Sequence, residues 1–293
     1  MNQDLENDYN RIRSGGSGFY EQKRGLIAVS GKEAVQFLDG LITNNVKKLG
    51  DGEQMTAAFP NAQGRLLAVV RVLHDGDRFL FETDGATREK VFQNLFRFTF
   101  SGDFFVEDLS EQYRYFEIFK SEPLALAGSM RFVNKTSSGY FLHRSESLPR
   151  DFIEISDEVY ETLRIENGTP KYGVDIDETT IVPELGIEDM ISYNKGCYIG
   201  QEIIARIHFR GHVAKQLTGL MSEPGAIATG FLPGTELTTA DGKNAGRITS
   251  TTHSPKLDKT IALAYVRYEH LDAGTNLMAD KTNVIVTDLP FVS

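Results

Sequence analysis

The chain has 293 residues, which is enough for two or more domains rather than one hydrophobic core. Its net charge of -10 argues against a broad nucleic-acid-binding surface, and no apolar run of about 18 residues indicates a membrane-spanning helix. The first residues have neither the basic start and apolar core of a secretory signal nor the composition of a transit peptide. The single cysteine cannot form an intramolecular disulfide, so these features together predict a cytoplasmic protein.

The first half of the chain alternates strand and helix patterns. A buried strand at 26–29 precedes Ser30-Gly31-Lys32-Glu33, where serine and glutamate have the spacing of a helix capping box. Residues 54–83 predict a three-stranded β-meander, because two turn signals separate three apolar runs. A helix at 86–98 and strands near 104–106 and 113–119 follow. This order of elements predicts an α+β region with antiparallel sheets.

The second half begins with a helix signal and ends in short strands. Ser156 is a predicted N-cap of a helix that ends at Gly168, and a long ordered loop over 169–194 leads to a helix at 200–207. Strand-like runs then alternate with turns to the end of the chain, which predicts a small β-barrel. The predicted domains are a flexible N-terminus over 1–18, an α+β region over 19–215 that is open to a division near 110–120, and a barrel over 216–293.

The chemistry of the chain centres on Lys195-Gly196-Cys197-Tyr198-Ile199-Gly200-Gln201-Glu202, which contains its only cysteine. The adjacent cation of Lys195 and a predicted helix N-terminus favour the thiolate form of Cys197. Such a thiolate could transiently hold iron, a cluster or a persulfide, or form a mixed disulfide with a partner. The alternative is an inert thiol packed in a Gly-Cys turn. We expect an accessible, reactive thiol, with Cys197 and Lys195 as the catalytic pair. A single cysteine excludes a permanent four-cysteine metal site within one chain, and no resident metal is expected.

Most of the other polar and aromatic residues in this segment have two interpretations, one as a ligand contact and one as a structural residue. Tyr198 stacks on a ligand ring or packs in the core, and Gln201 and Glu202 bond the glycine-rich turn or a ligand. Glu202 also has the i,i+4 spacing to pair with Arg206. Gly196 and Gly200 serve the backbone conformation. The net charge of +3 between Lys195 and Lys215, to which Arg206 and Arg210 contribute, suits a small anionic ligand or forms a solvated face.

The octapeptide and its continuation Ala205-Arg206-Ile207-His208-Phe209-Arg210-Gly211 resemble the signature of the YgfZ family, the folate-binding proteins that support iron–sulfur enzymes. Residues 37–44, 164–175 and 246–250 with 262–266 resemble the wider superfamily that includes the T protein of the glycine cleavage system (GcvT). The resemblance implies a folate-binding region with ferredoxin-like elements, followed by a small β-barrel. It also implies tetrahydrofolate, or a one-carbon derivative, as cofactor. The partners it implies are iron–sulfur client or assembly proteins, including the enzymes that methylthiolate tRNA.

Glu166 is the residue that the resemblance assigns to folate. In the aminomethyltransferase relatives, the glutamate of an R-x-E-x-G motif contacts the pterin, whose 2-amino group and ring N–H suit a carboxylate. Here the motif is Arg164-Ile165-Glu166-Asn167-Gly168. The alternative is an exposed glutamate in a last helical turn. Arg206, Arg210 or Lys195 could meet the anionic tail of folate.

One departure from the T protein bears on activity. Those enzymes need an aspartate soon after the glycine of the second meander strand, but no Asp or Glu occurs between Glu53 and Asp75. A reaction that needs a positioned carboxylate loses orders of magnitude without one. Aminomethyl transfer in glycine cleavage is therefore not expected, and whether the chain is an enzyme stays open. The other readings are a folate-dependent one-carbon transferase or demethylase of unknown substrate, and a non-catalytic scaffold.

Overall fold

The computed structural model describes residues 3–100, 102–120, 124–126, 128–134, 136–223 and 230–292. The α-helices of these residues are α1 (Gln3–Arg13), α2 (Ala34–Leu41), α3 (Arg88–Phe96), α4 (Asp157–Glu166) and α5 (Gln201–Arg210). The strands are β1 (Gly18–Gln22), β2 (Arg24–Ser30), β3 (Gln54–Pro60), β4 (Leu66–Asp75), β5 (Arg78–Asp84), β6 (Phe105–Asp108), β7 (Tyr113–Phe119), β8 (Met130–Val133), β9 (Ser138–His143), β10 (Ile153–Glu154), β11 (Lys215–Ser222), β12 (Glu236–Thr238), β13 (Asn244–Ser254), β14 (Lys259–Arg267), β15 (Asn276–Ala279) and β16 (Thr282–Thr287). No helix among the described residues is long and apolar enough to span a membrane.

The chain divides into two units, and each is discontinuous in sequence. The two-sheet unit comprises residues 8–155 and 187–206. The barrel unit comprises residues 1–7, 156–186 and 207–293. The segment that carries Cys197 therefore belongs to the two-sheet unit, although it follows 31 residues of the barrel unit in sequence. The domain limits inferred from sequence stay predictions.

The two-sheet unit is built on a meander sheet with strand order β3-β4-β5-β2-β6, all antiparallel. Alternating side chains of these strands point to opposite faces. On one face Val29, Val70 and Phe81 pack with Leu38 of α2 and Leu95 of α3. This arrangement confirms the predicted meander and the predicted helix before β6, and it places α2 against the sheet that supports the candidate site.

The other face of the meander sheet packs on a second sheet, whose order is β10-β1-β7-β9-β8. Leu26 and Leu80 contact Tyr115, Phe132 and Phe141 there in a shared apolar layer. All strand pairs of this sheet are antiparallel except β1 with β10. The expected α+β class with antiparallel sheets is confirmed.

One local prediction for the N-terminal region is wrong. Ser30 does not cap α2, because it still pairs within the sheet as the last residue of β2. The Glu33 carboxylate instead accepts a hydrogen bond from the backbone N–H of Asp103 at 2.7 Å. The segment 1–18 contains α1, and its flexibility stays a prediction. Tyr9 anchors that helix with an exposed fraction of only 1%, which a count of glycines and serines does not reveal.

The barrel unit contains a closed barrel with strand order β11-β14-β13-β12-β15-β16. Its interior is filled by small and medium apolar side chains, which include Leu220, Ile248, Ala264, Val266 and Val286. Closure pairs every strand on both sides and so removes free sheet edges. The predicted C-terminal β-barrel is confirmed.

A buried ion pair between Arg164 of α4 and Asp175 is hydrogen-bonded to Ser250 of β13 inside the barrel unit. Ser156 caps α4 as predicted, since its hydroxyl accepts from the backbone N–H of Val159 at 3.3 Å. Arg164 donates to Asp175 Oδ2 at 2.9 Å and to the Ser250 hydroxyl at 2.9 Å. The Ser250 hydroxyl in turn donates to Asp175 Oδ1 at 2.6 Å. Two residues of the 164–175 motif therefore serve the structure, because both charged side chains are almost fully buried.

We expect Asp175→Ala to lower the free energy of unfolding by about 3 kcal/mol, because it leaves the Arg164 guanidinium buried without its carboxylate. Chemical denaturation of the full chain measures the change. The matched control is Asp177→Ala, which removes an exposed carboxylate bonded to Thr179 and should cost under about 1 kcal/mol. Equal losses in the two variants would contradict the assigned role of the pair.

Candidate functional site

The segment with Cys197 lies along the residues that follow α2. The Thr43 hydroxyl donates to Met190 O at 2.7 Å and accepts from the backbone N–H of Ala58 in β3 at 2.9 Å. Nearer the cysteine, the backbone N–H of Ile199 donates to Gly40 O at 3.1 Å. These bonds tie the segment to the meander sheet through residues 40–44, which lie within the 37–44 stretch that carries the sequence resemblance.

Lys195 is the principal anchor of the segment. Its Nζ donates to three backbone carbonyls at the C-terminal end of α2: Asp39 O at 2.6 Å, Ile42 O at 2.8 Å and Asn44 O at 2.9 Å. An ammonium group has three protons, so these bonds use all of them. A cation is also favourable at a helix C-terminus. Lys195 therefore holds the loop, and its hydrogen bonds are not directed at the thiol as the sequence had suggested.

Asp39 completes this arrangement. Its Oδ1 lies 3.4 Å from Lys195 Nζ, and its Oδ2 pairs with Lys47 at 2.8 Å. Burial lowers the pKa of Lys195 to about 8, and the Asp39 carboxylate opposes this shift by favouring the charged form. Lys195 therefore loses its proton at a lower pH than an exposed lysine does.

Gly200 brings the segment into contact with the β3–β4 turn. Its φ of +81° is in the left-handed region, and a Cβ at this position would collide with Asn61 O and lie 3.2 Å from Gly64 N. The Asn61 side chain fixes that turn by accepting from the backbone N–H groups of Gln63 and Arg65. Only glycine combines this backbone conformation with this approach, which explains its position directly before α5.

Cys197 is an exposed free thiol on the segment between Lys195 and α5. The accessible thiol expected from the sequence is therefore present in the structure. α5 begins at Gln201, four positions later, and the field of a helix terminus falls off within its first turn. Neither expected source of activation is thus directed at Cys197. No group of three or more His, Cys, Asp or Glu side chains among the described residues could hold a metal ion.

Tyr198 is buried rather than presented to a ligand. Lys195 Nζ lies 5.0 Å from the centroid of its ring, and burial raises the pKa of its hydroxyl group. Gln201 Nε2 is 3.5 Å from Gly196 O, at the outer limit of a hydrogen bond. Tyr198 therefore packs beneath the segment, and Gln201 faces the glycine-rich turn.

The polar side chains of α5 are solvated. Glu202 pairs with Arg206 at 2.8 Å, and their side chains are 82% and 62% exposed. Such a surface pair contributes little to stability. Arg210 is the last residue of α5 and is exposed. The i,i+4 reading of Glu202 and Arg206 therefore describes the structure, with both charges available at the surface.

Glu166 belongs to the barrel unit and is fully buried, with an exposed fraction of 0%. Its Oε1 accepts a hydrogen bond from the Ser254 hydroxyl, and its backbone carbonyl accepts from the N–H of Phe291 at 2.9 Å. The alternative of an exposed glutamate at the helix end is wrong. A pterin could reach this carboxylate only after Ser254 or the groups that cover Glu166 move.

The predicted site residues thus fall into two sets. Lys195, Gly196, Cys197, Tyr198, Gly200, Gln201, Glu202 and Arg206 belong to the two-sheet unit, and Glu166 and Arg210 belong to the barrel unit. Two further residues were not predicted from the sequence: Asp39, which contacts Lys195, and Asn61, which fixes the turn next to Gly200. Asp39 lies inside the 37–44 stretch that carries the resemblance, and Asn61 lies in a turn that the sequence predicts. The sequence therefore indicates the position of both residues, but not the groups that they contact.

Comparison with known proteins identifies the class of the fold. Residues 215–292 match the glycine cleavage T-protein C-terminal barrel domain. The crystal structure of the glycine cleavage system aminomethyltransferase T from Bartonella henselae superposes with a TM-score of 0.84 over 98% of this chain and 89% of that one, at 18% identity. The chain therefore has the fold of the aminomethyltransferase (GcvT-like) superfamily, with its C-terminal barrel.

Relatives in sequence have names of two kinds. The aminomethyltransferase of Bdellovibrio bacteriovorus is 25% identical over 99% of this chain and 91% of its own length. The mitochondrial iron-sulfur cluster assembly factor IBA57 homolog of Mycosarcoma maydis is 30% identical over 67% of this chain and 55% of its own length. The chain is thus similar both to aminomethyltransferases and to an iron–sulfur assembly factor.

We expect Gly200→Ala to lower the free energy of unfolding by about 2 kcal/mol or more, because the new Cβ meets Asn61 O in a backbone conformation that disfavours alanine. Gly196→Ala is the control within the same motif, since its Cβ would meet only Asp39 Oδ2, at an ordinary 3.4 Å. Urea denaturation of both variants measures the difference. A loss for Gly200→Ala no larger than for Gly196→Ala would refute the packing argument.

The lowered pKa of Lys195 predicts a pH dependence of stability. Between about pH 8 and its ordinary value of 10.5, the unfolded chain binds the lysine proton and the folded chain does not. The contribution of Lys195 therefore makes the free energy of unfolding rise with pH across this window. We expect Lys195→Met to remove that rise, while the exposed Lys48→Met keeps it. Denaturation curves at several pH values test this, and parallel profiles for wild type and Lys195→Met would exclude the assignment.

Proposed function

We propose that this chain binds tetrahydrofolate and supports the assembly or repair of iron–sulfur clusters in client enzymes, including those that methylthiolate tRNA, through the thiol of Cys197. The proposal takes its biological role from the resemblance of the 195–211 segment to the YgfZ family and from the similarity to an iron–sulfur cluster assembly factor. The partners proposed from the same resemblance are client or assembly proteins, and the proposed cytoplasmic location fits the single cysteine.

The observation that carries the proposal is an exposed thiol on a rigidly anchored segment. Cys197 is two residues from Lys195, whose ammonium is fixed by three carbonyls, and two residues from Ile199, whose N–H is bonded to Gly40. Preorganised positioning of this kind lowers the entropic cost of engaging a partner. A thiolate at this position could ligate iron transiently or exchange with a disulfide of a client. A purely structural cysteine would be buried.

Folate binding is the second part of the proposal, with Glu166 as the expected pterin contact. A carboxylate that accepts from the Ser254 hydroxyl can also accept from the 2-amino group and ring N–H of a pterin. Because Glu166 is fully covered, binding there requires the covering groups to rearrange. When bound, folate would supply a one-carbon acceptor or donor. The exposed Arg210, which belongs to the same unit as Glu166, is a candidate contact for its anionic tail.

The alternative function is a folate-dependent one-carbon transferase or demethylase of unknown substrate. It is favoured by the aminomethyltransferase names of relatives that match 99% and 89% of this chain. Against it, the β3–β4 hairpin contains no Asp or Glu between Glu53 and Asp75. Turnover of a methylated folate by the purified chain would support this alternative.

Complementation of a bacterial strain that lacks its own YgfZ tests the proposal, with methylthiolated tRNA as the readout. We expect wild type to restore the modification and Cys197→Ala to leave it at the level of the empty vector. Lys48→Met serves as a surface control. Full rescue by Cys197→Ala would favour a scaffold that does not use the thiol. Failure of a well-expressed wild type would remove the support for an iron–sulfur role.

Calorimetric titration with tetrahydrofolate forms the second arm of this test. We expect Glu166→Gln to weaken binding at least about ten-fold, since an amide presents only one acceptor oxygen to the paired donors. Unfolding curves of the same preparation separate this effect from loss of structure. Unchanged affinity of a folded Glu166→Gln variant would eliminate Glu166 as the pterin contact, whatever the outcome of the complementation.

A further inference from the structure

A cleft of about 680 Å³ lies on the barrel unit, between the segment 174–180 and the strands β11, β13 and β14. We call it the barrel cleft. Its volume is in the range of sites for small organic ligands. None of the residues predicted from sequence as catalytic or folate-binding lines it. The proposed function therefore assigns no ligand to this cleft.

Strand register places three cations and one tyrosine on the same outer face of the barrel. Lys215 of β11 is directly opposite Arg267 of β14, and Arg247 of β13 is directly opposite Tyr265. Tyr265 and Arg267 are two apart, so they share a face, while Val266 between them points into the barrel core. All four side chains line the barrel cleft.

Within the described residues, the three cations have no carboxylate partner at ion-pair distance. Arg267 Nε donates to the neutral Asn244 Oδ1 at 3.1 Å. Lys215 Nζ lies 4.5 Å from the ring centroid of Tyr265, and the Arg247 guanidinium lies over Gly234. Like charges directly opposite each other on neighbouring strands are destabilising, as for Lys215 and Arg267. The three cations nevertheless lie together on this face, in a protein whose net charge is -10.

Among the described residues, the carboxylates that line the cleft form no ion pair with these three cations. Asp175 is occupied by Arg164, Ser250 and Thr249. Asp177 accepts from the hydroxyl and N–H of Thr179, and the nearby Lys215 contributes to the lowering of its pKa. Glu236 is opposite Arg247 in the register of β12 and β13 and forms no ion pair with it.

The floor of the cleft supplies a further donor. Burial raises the pKa of Tyr265 to about 12, so its hydroxyl remains protonated at neutral pH. This oxygen lies 3.3 Å from Thr180 Oγ1, which fixes the ring against the segment 174–180. A ligand would therefore meet two guanidinium groups, one ammonium group and a neutral hydroxyl.

We propose that the barrel cleft binds a small polyanion, a molecule with two or more carboxylate or phosphate groups. Guanidinium groups bind both kinds of oxyanion in a bidentate manner, and two of them beside a lysine suit a ligand with at least two anionic groups. The proposal does not depend on folate binding or on Cys197, because no residue of either site lines the cleft.

Titration calorimetry of the full chain at low ionic strength tests the proposal, with inorganic pyrophosphate and citrate as probes. We expect saturable binding of at least one probe to wild type. The double variant Lys215→Gln/Arg247→Gln should weaken it at least about ten-fold. Binding of pyrophosphate alone identifies a phosphate ligand, and binding of citrate alone identifies a carboxylate ligand.

The control variant Lys256→Gln/Lys281→Gln removes the same charge from two exposed lysines in other turns of the barrel. We expect its affinity to stay within about two-fold of wild type. Equal weakening in the two double variants, or no saturable binding of either probe to wild type, would overturn the proposal. The single variant Arg247→Gln repeats the measurement if the double variant unfolds, since Arg247 is exposed and makes no hydrogen bond among the described residues.

Discussion

The candidate site depends on one ammonium group held by three backbone carbonyls. A helix ends with carbonyl groups that have no intrahelical donor, and these must be satisfied when they are buried. Lys195 meets this need for α2 with bonds to Asp39, Ile42 and Asn44. In doing so it fixes the backbone that leads to Cys197. The lysine and the cysteine of one motif thus have different tasks, because the first secures the fold and the second is left exposed.

The same division of tasks recurs in the barrel unit. Arg164 and Asp175 of the 164–175 motif form a buried hydrogen-bond network with Ser250. Glu166, which lies between them in sequence, is also buried and bonded to Ser254. A motif that resembles a ligand site in sequence therefore contains residues that mainly connect α4 with β13. Functional assignments made for a whole motif need to be separated residue by residue.

Local signals in the sequence predicted the fold well where the cause was local. Ser156 caps α4 because its hydroxyl reaches an N–H three residues away, and the β3–β4 turn forms where asparagine and glycine allow it. Ser30 failed as a cap because pairing with β5 and β6 continues through it. The role of Lys195 could not be predicted from the sequence, because its acceptors are about 150 positions away and no sequence pattern indicates them.

The discontinuity of the two-sheet unit has a consequence for biosynthesis. Residues 8–155 emerge from the ribosome first, but their structure lacks the segment 187–206 until the intervening stretch has been made. Lys195, which bonds the carbonyls at the end of α2, lies 156 residues after Asp39, so those carbonyls have no ammonium partner until it has been made. Contacts of such long range form late in folding. The backbone around Cys197 is consequently fixed only after most of the chain has been translated.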